Sequence, residues 1–194
     1  IHVKNEPIKY NIQFVRNEPA GSVPSADTMA NMIDILYNTD ATLTANAAEV
    51  LGKAEDAAYY RSMAKDVKLA FQKAYVTPEG ELTVRTQTAH VLALYLELAP
   101  ERFLPGIADD LNALLLENDC HLTTGFVGTY LLCPTLSRYG LTETAYTLLL
   151  QEDFPSWLYE VNLGATTIWE RWNSVLPDGS VSDTGMNSMN HYCY

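Results

Sequence analysis

The chain has 194 residues, of which 47% are hydrophobic and 19% charged, and its formal net charge at pH 7 is −12. This length is sufficient for the core of one domain, and the composition is that of a globular protein. The acidic balance argues against nucleic acid or an anionic membrane as a partner, because both would repel the chain. It is compatible with a neutral ligand such as a sugar, although charge alone selects no substrate.

Targeting and metal-binding signals are weak in this sequence. No apolar run reaches the roughly 18 residues that span a bilayer, and residues 1–10 lack the basic-then-apolar order of a signal peptide. The sequence therefore leaves open whether the protein is cytoplasmic or exported. The three cysteines and four histidines are scattered, so we expect no disulfide framework and no metal bound by a local motif.

In chain order, residues 1–24 contain three prolines and no sustained period, so we predict an irregular segment there, with one short strand around Ile8–Phe14. Amphipathic helices follow, bounded by capping residues, glycines and prolines. We predict seven of them: Ser25 or Asp27 to about Leu36, Thr42 to Leu51, Glu55 to Tyr75, Thr86 through Leu98, Pro105 to Asn118, Phe126 to Tyr139, and Thr142 to Glu152. The Thr86 helix is apolar nearly all round, which indicates a buried inner helix.

Consecutive helices with short connections predict a mainly α fold built from antiparallel hairpins, either a bundle, a solenoid or an α/α toroid. The pattern changes after Pro155. Residues 156–159 favour a helical turn, and the β-branched and aromatic run Thr166–Trp169 favours a short extended segment near 164–173. If this segment is extended, Ile168, Glu170 and Trp172 share one face of it.

The densest group of functional side chains lies in this same region. Trp169 and Trp172 flank the adjacent Glu170 and Arg171, and the tail Met186–Tyr192 adds Asn187, Asn190 and His191. Aromatic faces stack on sugar rings, while carboxylates and amides hydrogen-bond to hydroxyls. The alternative is an aromatic core segment in which Glu170 and Arg171 neutralise each other.

At these residues the chain resembles the catalytic domain of bacterial α-L-rhamnosidases, which are inverting glycoside hydrolases with an (α/α)6 barrel. Residues 164–172 read GATTIWERW, and residues 186–192 read MNSMNHY where the family has MNSFNHY. TQTA at 86–89, LTTGFVGT at 122–129 and PSW at 155–157 also match. The resemblance covers residues from about 25 to the end, and it implies that residues 25–194 are part of this barrel, an α/α toroid of the six-hairpin type.

The resemblance also implies site residues and a substrate. Glu170 takes the position of the general base and His191 that of a residue that contacts rhamnose. Trp169, Trp172, Arg171 and Asn190 are the further candidates for binding a rhamnosyl substrate, and no cofactor is implied. The motif of the family that carries the general acid, DxxxRxERxGWTGD, has no match in the 194 residues. We therefore expect an incomplete barrel that is inactive alone and that self-associates through uncovered apolar helix faces.

Two other functions remain open on the sequence. The same candidate residues can form a pocket that holds a sugar without cleaving it, which would make the chain a carbohydrate-binding module. Alternatively, the tryptophan cluster is core, and the helices are a scaffold for protein partners.

Overall fold

The computed structural model describes residues 26–182 and 187–191, and for residues 26–37 it describes the backbone alone. Within these ranges the chain is mainly helical, as predicted, and contains no β-strand beyond two isolated antiparallel bridges. The helices are α1 (Ala26–Val50), α2 (Ala54–Tyr75), α3 (Gln87–Tyr95), α4 (Leu104–Leu116), α5 (Phe126–Arg138), α6 (Thr142–Leu149) and α7 (Trp157–Asn162), with a 3-10 turn at Glu101–Phe103. The expected irregular segment 1–24 lies outside the described residues.

The first two predicted helices form one continuous helix, α1, so the break expected between Leu36 and Thr42 was wrong. The polar residues there interrupt the apolar pattern, but none of them is a glycine or proline that would break a helix. Asn38 is buried against α2, where its Nδ2 donates to the carbonyl of Ala64 at 2.7 Å. A satisfied polar contact between helices thus occupies the place where the sequence indicated a loop.

The end of α1 was predicted correctly. Gly52 has a φ of +70°, a conformation that glycine adopts without strain, and the amide of Lys53 donates back to the carbonyl of Ala48 at 2.8 Å. The chain then reverses into α2. Three buried alanines of α1, Ala41, Ala45 and Ala48, lie on one face of the helix, and their small side chains allow α2 to approach closely.

Helix α3 lies at the centre of the fold, as predicted from the apolar residues on nearly all of its faces. All four residues of Val91–Leu94 are buried, and α3 packs against α1, α4 and α5. Thr86 caps the helix by accepting the amide proton of Ala89 at 3.2 Å. His90 is also buried, its Nδ1 lies 2.8 Å from the carbonyl oxygen of Thr86, and burial lowers its pKa. It is a structural residue of the core.

A buried glutamine joins α3 to the loop before α5. The side-chain amide of Gln87 donates to the carbonyl of His121 at 3.0 Å and accepts the amide proton of Thr123 at 2.7 Å. Farther along, a Cβ on Gly128 would lie within 3.3 Å of side-chain atoms of Thr88 and Thr124. The TQTA and LTTGFVGT motifs are therefore in direct contact, and together they fix where α5 begins.

We expect the core packing around α4 to dominate stability, and two leucines of this helix test that. Leu111 is 0% exposed and Leu116 is 58% exposed. Leu111→Ala should lower the free energy of unfolding by about 2–5 kcal/mol, since it leaves a cavity, whereas Leu116→Ala should change it by about 0.5 kcal/mol or less. Urea unfolding of the 194-residue chain followed by circular dichroism measures both. Equal losses would show that α4 packs differently.

Candidate functional site

Helix α7 leads directly into the segment that carries the candidate residues. Ser156 caps it, as its Oγ accepts the amide proton of Tyr159 at 3.1 Å, which confirms the predicted helical turn. At its other end the carbonyl of Glu160 accepts the amide protons of Leu163 and Ala165 at 3.1 and 3.0 Å. Gly164, at a φ of +86°, then turns the chain away from the helix axis.

The segment 164–173 pairs with residues 187–191 but forms no strand. The amide of Glu170 donates to the carbonyl of Ser188, and the amide of His191 donates to the carbonyl of Ile168, both at 2.8 Å. The hydroxyl of Thr167 also bonds to the carbonyl of Met189. The pairing ends at Arg171, where a turn begins, so the expected alternation of faces does not extend to Trp172. The two sequence motifs are thus brought side by side.

Glu170 is held at both its backbone and its side chain by one residue. Its carboxylate Oε2 accepts the amide proton of Ser188 at 2.7 Å, in addition to the bond between the Glu170 amide and the Ser188 carbonyl. A backbone amide that donates to a carboxylate makes a short, charge-assisted bond. This reciprocal pair fixes the direction of the half-buried Glu170 side chain.

Ser174 holds the following turn against the tail. It is fully buried, and its Oγ lies 2.9 Å from the carbonyl of Arg171 and 2.6 Å from Oδ1 of Asn187. Its amide donates to the carbonyl of Arg171, and its carbonyl accepts the amide proton of Ser182. One small hydroxyl residue therefore connects the end of the 164–173 segment to the residue next to Ser188.

His191 faces an aromatic ring from a distant part of the chain. Its ring centroid lies 5.7 Å from that of Phe126, the first residue of α5, with an angle of 63° between the ring planes. Phe126 is 43% exposed, although it is a large apolar side chain. The LTTGFVGT motif thus reaches the candidate site through Phe126, a residue that the sequence placed in a matching motif without a role.

The two candidate tryptophans are packed into the protein. Trp169 is 6% exposed, and Trp172 packs against the core and makes an edge-to-face contact with Trp157, with 5.5 Å between ring centroids. Their positions favour a packing role over a stacking platform for a ligand. Asn190 is exposed, and Arg171 is half-buried with its backbone in the Ser174 turn.

Glu160 was not among the site residues predicted from the sequence. Its side chain is 3% exposed, and its Oε2 accepts the amide proton of Trp169 at 3.3 Å. Its Oε1 is buried without a hydrogen-bond partner among the described residues. Burial raises the pKa of Glu160 to about 7, a shift that the Trp169 amide opposes. The one available signal was a carboxylate on a short apolar helix ten residues before Glu170.

The described part of the chain contains no group of three or more His, Cys, Asp or Glu residues arranged to hold a metal ion. It also contains no helix that is long and apolar enough to cross a bilayer.

Residues 17–194 match the family described as the bacterial alpha-L-rhamnosidase 6 hairpin glycosidase domain. The chain belongs to this family. The match includes every described residue, so the predicted mainly α fold, an α/α toroid of the six-hairpin type, is the fold of the family.

Named relatives agree with the family assignment of this glycosidase domain. An α-L-rhamnosidase of Streptomyces avermitilis is 47% identical over 171 residues, which are 88% of this chain and 16% of the relative. An α-L-rhamnosidase of Formosa agariphila is 40% identical over 179 residues, which are 91% of this chain and 19% of the relative. The chain therefore spans less than a fifth of the length of either relative.

Solved structures extend the likeness to three dimensions. The crystal structure of the Streptomyces avermitilis α-L-rhamnosidase complexed with L-rhamnose matches with a TM-score of 0.79 at 44% identity, over 84% of this chain and 16% of that chain. The crystal structure of the native α-L-rhamnosidase from Aspergillus terreus matches with a TM-score of 0.76 at 39% identity, over 80% of this chain and 18% of that chain.

We predict that Glu160 makes the stability of this glycosidase domain depend on pH. Its pKa is raised from 4.5 to about 7, so the folded state binds a proton that the unfolded state releases between these values. The folded chain is therefore more stable with Glu160 protonated than with it ionised, and this difference is complete below about pH 4.5 and is lost as the pH rises through about 7. A shift of this size corresponds to roughly 3 kcal/mol.

Glu160→Gln removes the titration and keeps an acceptor for the Trp169 amide. The free energy of unfolding of the wild-type chain, minus that of the variant, should therefore fall by about 3 kcal/mol between about pH 4 and pH 8. Urea titrations at a series of pH values measure it. A difference that stays constant with pH would contradict the raised pKa.

Proposed function

We propose that this chain forms the general-base side of the active site of an inverting glycoside hydrolase that cleaves terminal α-L-rhamnosides. The observation that supports this most directly is the reciprocal pair of hydrogen bonds between Glu170 and Ser188, which places an oriented carboxylate in the segment paired with His191. Membership of the rhamnosidase family and the match of both motifs to its pattern supply the substrate class.

In the proposed reaction Glu170 removes a proton from a water molecule as that water attacks the anomeric carbon. A second carboxylic acid, on the opposite face of the sugar, protonates the departing oxygen, and the two carboxyl groups are roughly 6.5–9.5 Å apart to admit the water. The Ser188 amide orients Glu170 without supplying it a proton. The product is the sugar of inverted configuration.

We assign the recognition of the rhamnosyl ring to His191, Asn190 and Arg171. The ring nitrogens of His191 and the amide of Asn190 suit sugar hydroxyls, and the guanidinium of Arg171 adds further donors. Trp172 and Trp169 are the weaker candidates because both are packed against protein. Phe126 joins the set through its contact with His191 and its exposed face.

The general acid is proposed to come from polypeptide upstream of this chain, because no stretch of the 194 residues matches the motif of the family that carries it. The chain alone should then be able to bind the sugar but should not cleave a rhamnoside. The carbohydrate-binding module is the alternative, and it would bind L-rhamnose while remaining inactive in any longer form.

Replacement of Glu170 tests the catalytic role. In a form extended upstream to the span of the relatives, Glu170→Gln should lower kcat for an aryl α-L-rhamnoside by at least about 100-fold, because it removes the base and keeps the shape. Added azide, a nucleophile that needs no deprotonation, should restore part of the turnover.

Glu143→Gln, on the exposed face of α6, is the matched control and should retain full activity. Proton NMR of the first-formed sugar, recorded before mutarotation, reads out inversion. A Glu170→Gln variant with near-wild-type kcat would exclude this residue as the base. If the extended wild type binds L-rhamnose in thermal-shift measurements but never cleaves, the binding module is the better account.

We also propose that the 194-residue chain self-associates. Tyr146, Leu149 and Leu150 are exposed on one side of α6 and its end, and large apolar side chains this close together favour burial against a partner. Light scattering at increasing concentration should show a mass above 21.6 kDa, and Leu150→Lys should shift it towards the monomer. A monomer at every concentration would contradict this.

A further inference from the structure

Glu160 closes the loop between α7 and the candidate base from both ends. Its backbone carbonyl accepts the amide protons of Leu163 and Ala165, and its side chain reaches forward to the amide of Trp169. The chain between these contacts is irregular and partly exposed. Without the side-chain contact, this loop would be tied to α7 only at its beginning.

The burial of this carboxyl group is not explained by its contribution to stability. A carboxyl group that loses water and gains a single long hydrogen bond costs free energy, and an apolar side chain of similar volume would cost less. The raised pKa is the sign of that cost, since the group remains protonated up to about pH 7 to avoid a buried charge. The burial of the Glu160 carboxyl group therefore has to be explained by the group that it binds.

The Glu160 carboxyl group binds the backbone amide of Trp169, the residue immediately before Glu170. The carbonyl of Ile168 accepts the amide proton of His191, the amide of Trp169 donates to Glu160, and the amide of Glu170 donates to Ser188. Three consecutive residues are thus fixed through their backbones, the outer two to the segment 187–191 and the middle one to α7. The Trp169 amide belongs to the peptide between Ile168 and Trp169, whose carbonyl is the one that binds the His191 amide. Loss of the Glu160 contact would leave this peptide held on one side only, directly before Glu170.

We propose that Glu160 is a positioning residue that sets the direction of the Glu170 carboxylate by holding the amide of Trp169. This inference rests on the proposed function of Glu170. A displacement of about 1 Å at a reacting group can cost on the order of 100-fold in rate. A contact to the neighbouring residue can therefore affect the rate by moving the Glu170 carboxylate.

A raised pKa also suits a general acid, but the burial of Glu160 excludes that role in this structure. A general acid must come within hydrogen-bond reach of the departing oxygen, and a side chain that is 3% exposed and points to a backbone amide does not meet a substrate. Glu160 acts through Trp169 and not on the sugar.

The test compares two replacements in the upstream-extended form. Glu160→Gln keeps an acceptor for the Trp169 amide and should retain kcat within about 3-fold, whereas Glu160→Met is apolar, of similar length, and should lower kcat by at least about 10-fold with KM within about 2-fold. Glu152→Gln, an exposed carboxylate, is the control. If Glu160 were needed only for stability, less of the Glu160→Met variant would be folded, but its folded molecules would retain full kcat.

Amide hydrogen exchange on the 194-residue chain separates this inference from the proposed function. In Glu160→Met the amides of Trp169 and Glu170 should exchange at least about 10-fold faster while those of Val91–Leu94 in α3 are unchanged. Unchanged exchange at Trp169, or equal kcat in the Gln and Met variants, overturns the positioning role. If Glu170→Gln retains activity while exchange at Trp169 still rises, the proposed base is wrong and the contact stands.

If Glu160→Met does not fold, Glu160→Asp replaces it. Aspartate keeps the carboxyl group and shortens the side chain by one methylene, so it should withdraw the acceptor from the Trp169 amide and show the same loss of kcat. Full activity in Glu160→Asp would overturn the inference.

Discussion

The pairing of Glu170 with Ser188 is the contact on which the arrangement of the candidate site depends. It joins two stretches of chain whose sequence separation is eighteen residues, and it uses both the backbone and the side chain of Glu170. A carboxylate that accepts a backbone amide has a fixed direction, because the amide belongs to a segment that is itself anchored. That anchor is Ser174, which contacts Asn187 beside Ser188. Removal of either segment would leave the carboxylate without orientation.

The helical scaffold contributes to the same site from a different direction. Gln87, buried at the start of α3, holds the loop that precedes α5 through two hydrogen bonds to backbone groups. Because the position of that loop sets the first turn of α5, it also sets the place of Phe126 against His191. A motif near the middle of the chain therefore supports a residue near its end, through packing that no local pattern reveals.

The sequence predicted the helical parts well because they depend on local signals. Thr86 as a cap, Gly52 as a terminator and the apolar circumference of α3 all act within a turn of the helix they define. The break in α1 was wrong because Asn38 is satisfied by α2, a partner that local periodicity does not include.

The same limit applies to the candidate site. Its residues could be located from the motif, and Glu170 and His191 do lie in paired segments. The packing of Trp169 and Trp172 could not be predicted, because an aromatic residue in a motif looks the same whether it faces a ligand or the core. Glu160 was missed for a related reason. A glutamate on a six-residue helix is expected on the surface, and only the structure shows that it is buried.

Two glutamates ten residues apart thus lie in different surroundings. Glu170 is half-buried and accepts a short bond from the Ser188 amide, an arrangement suited to the role proposed for it. Glu160 is enclosed, accepts one longer bond from Trp169, and remains protonated up to about pH 7. A protonated neighbour adds no negative charge to the segment that carries the proposed base. The fold can therefore use a second carboxyl group as an anchor there without repelling the first.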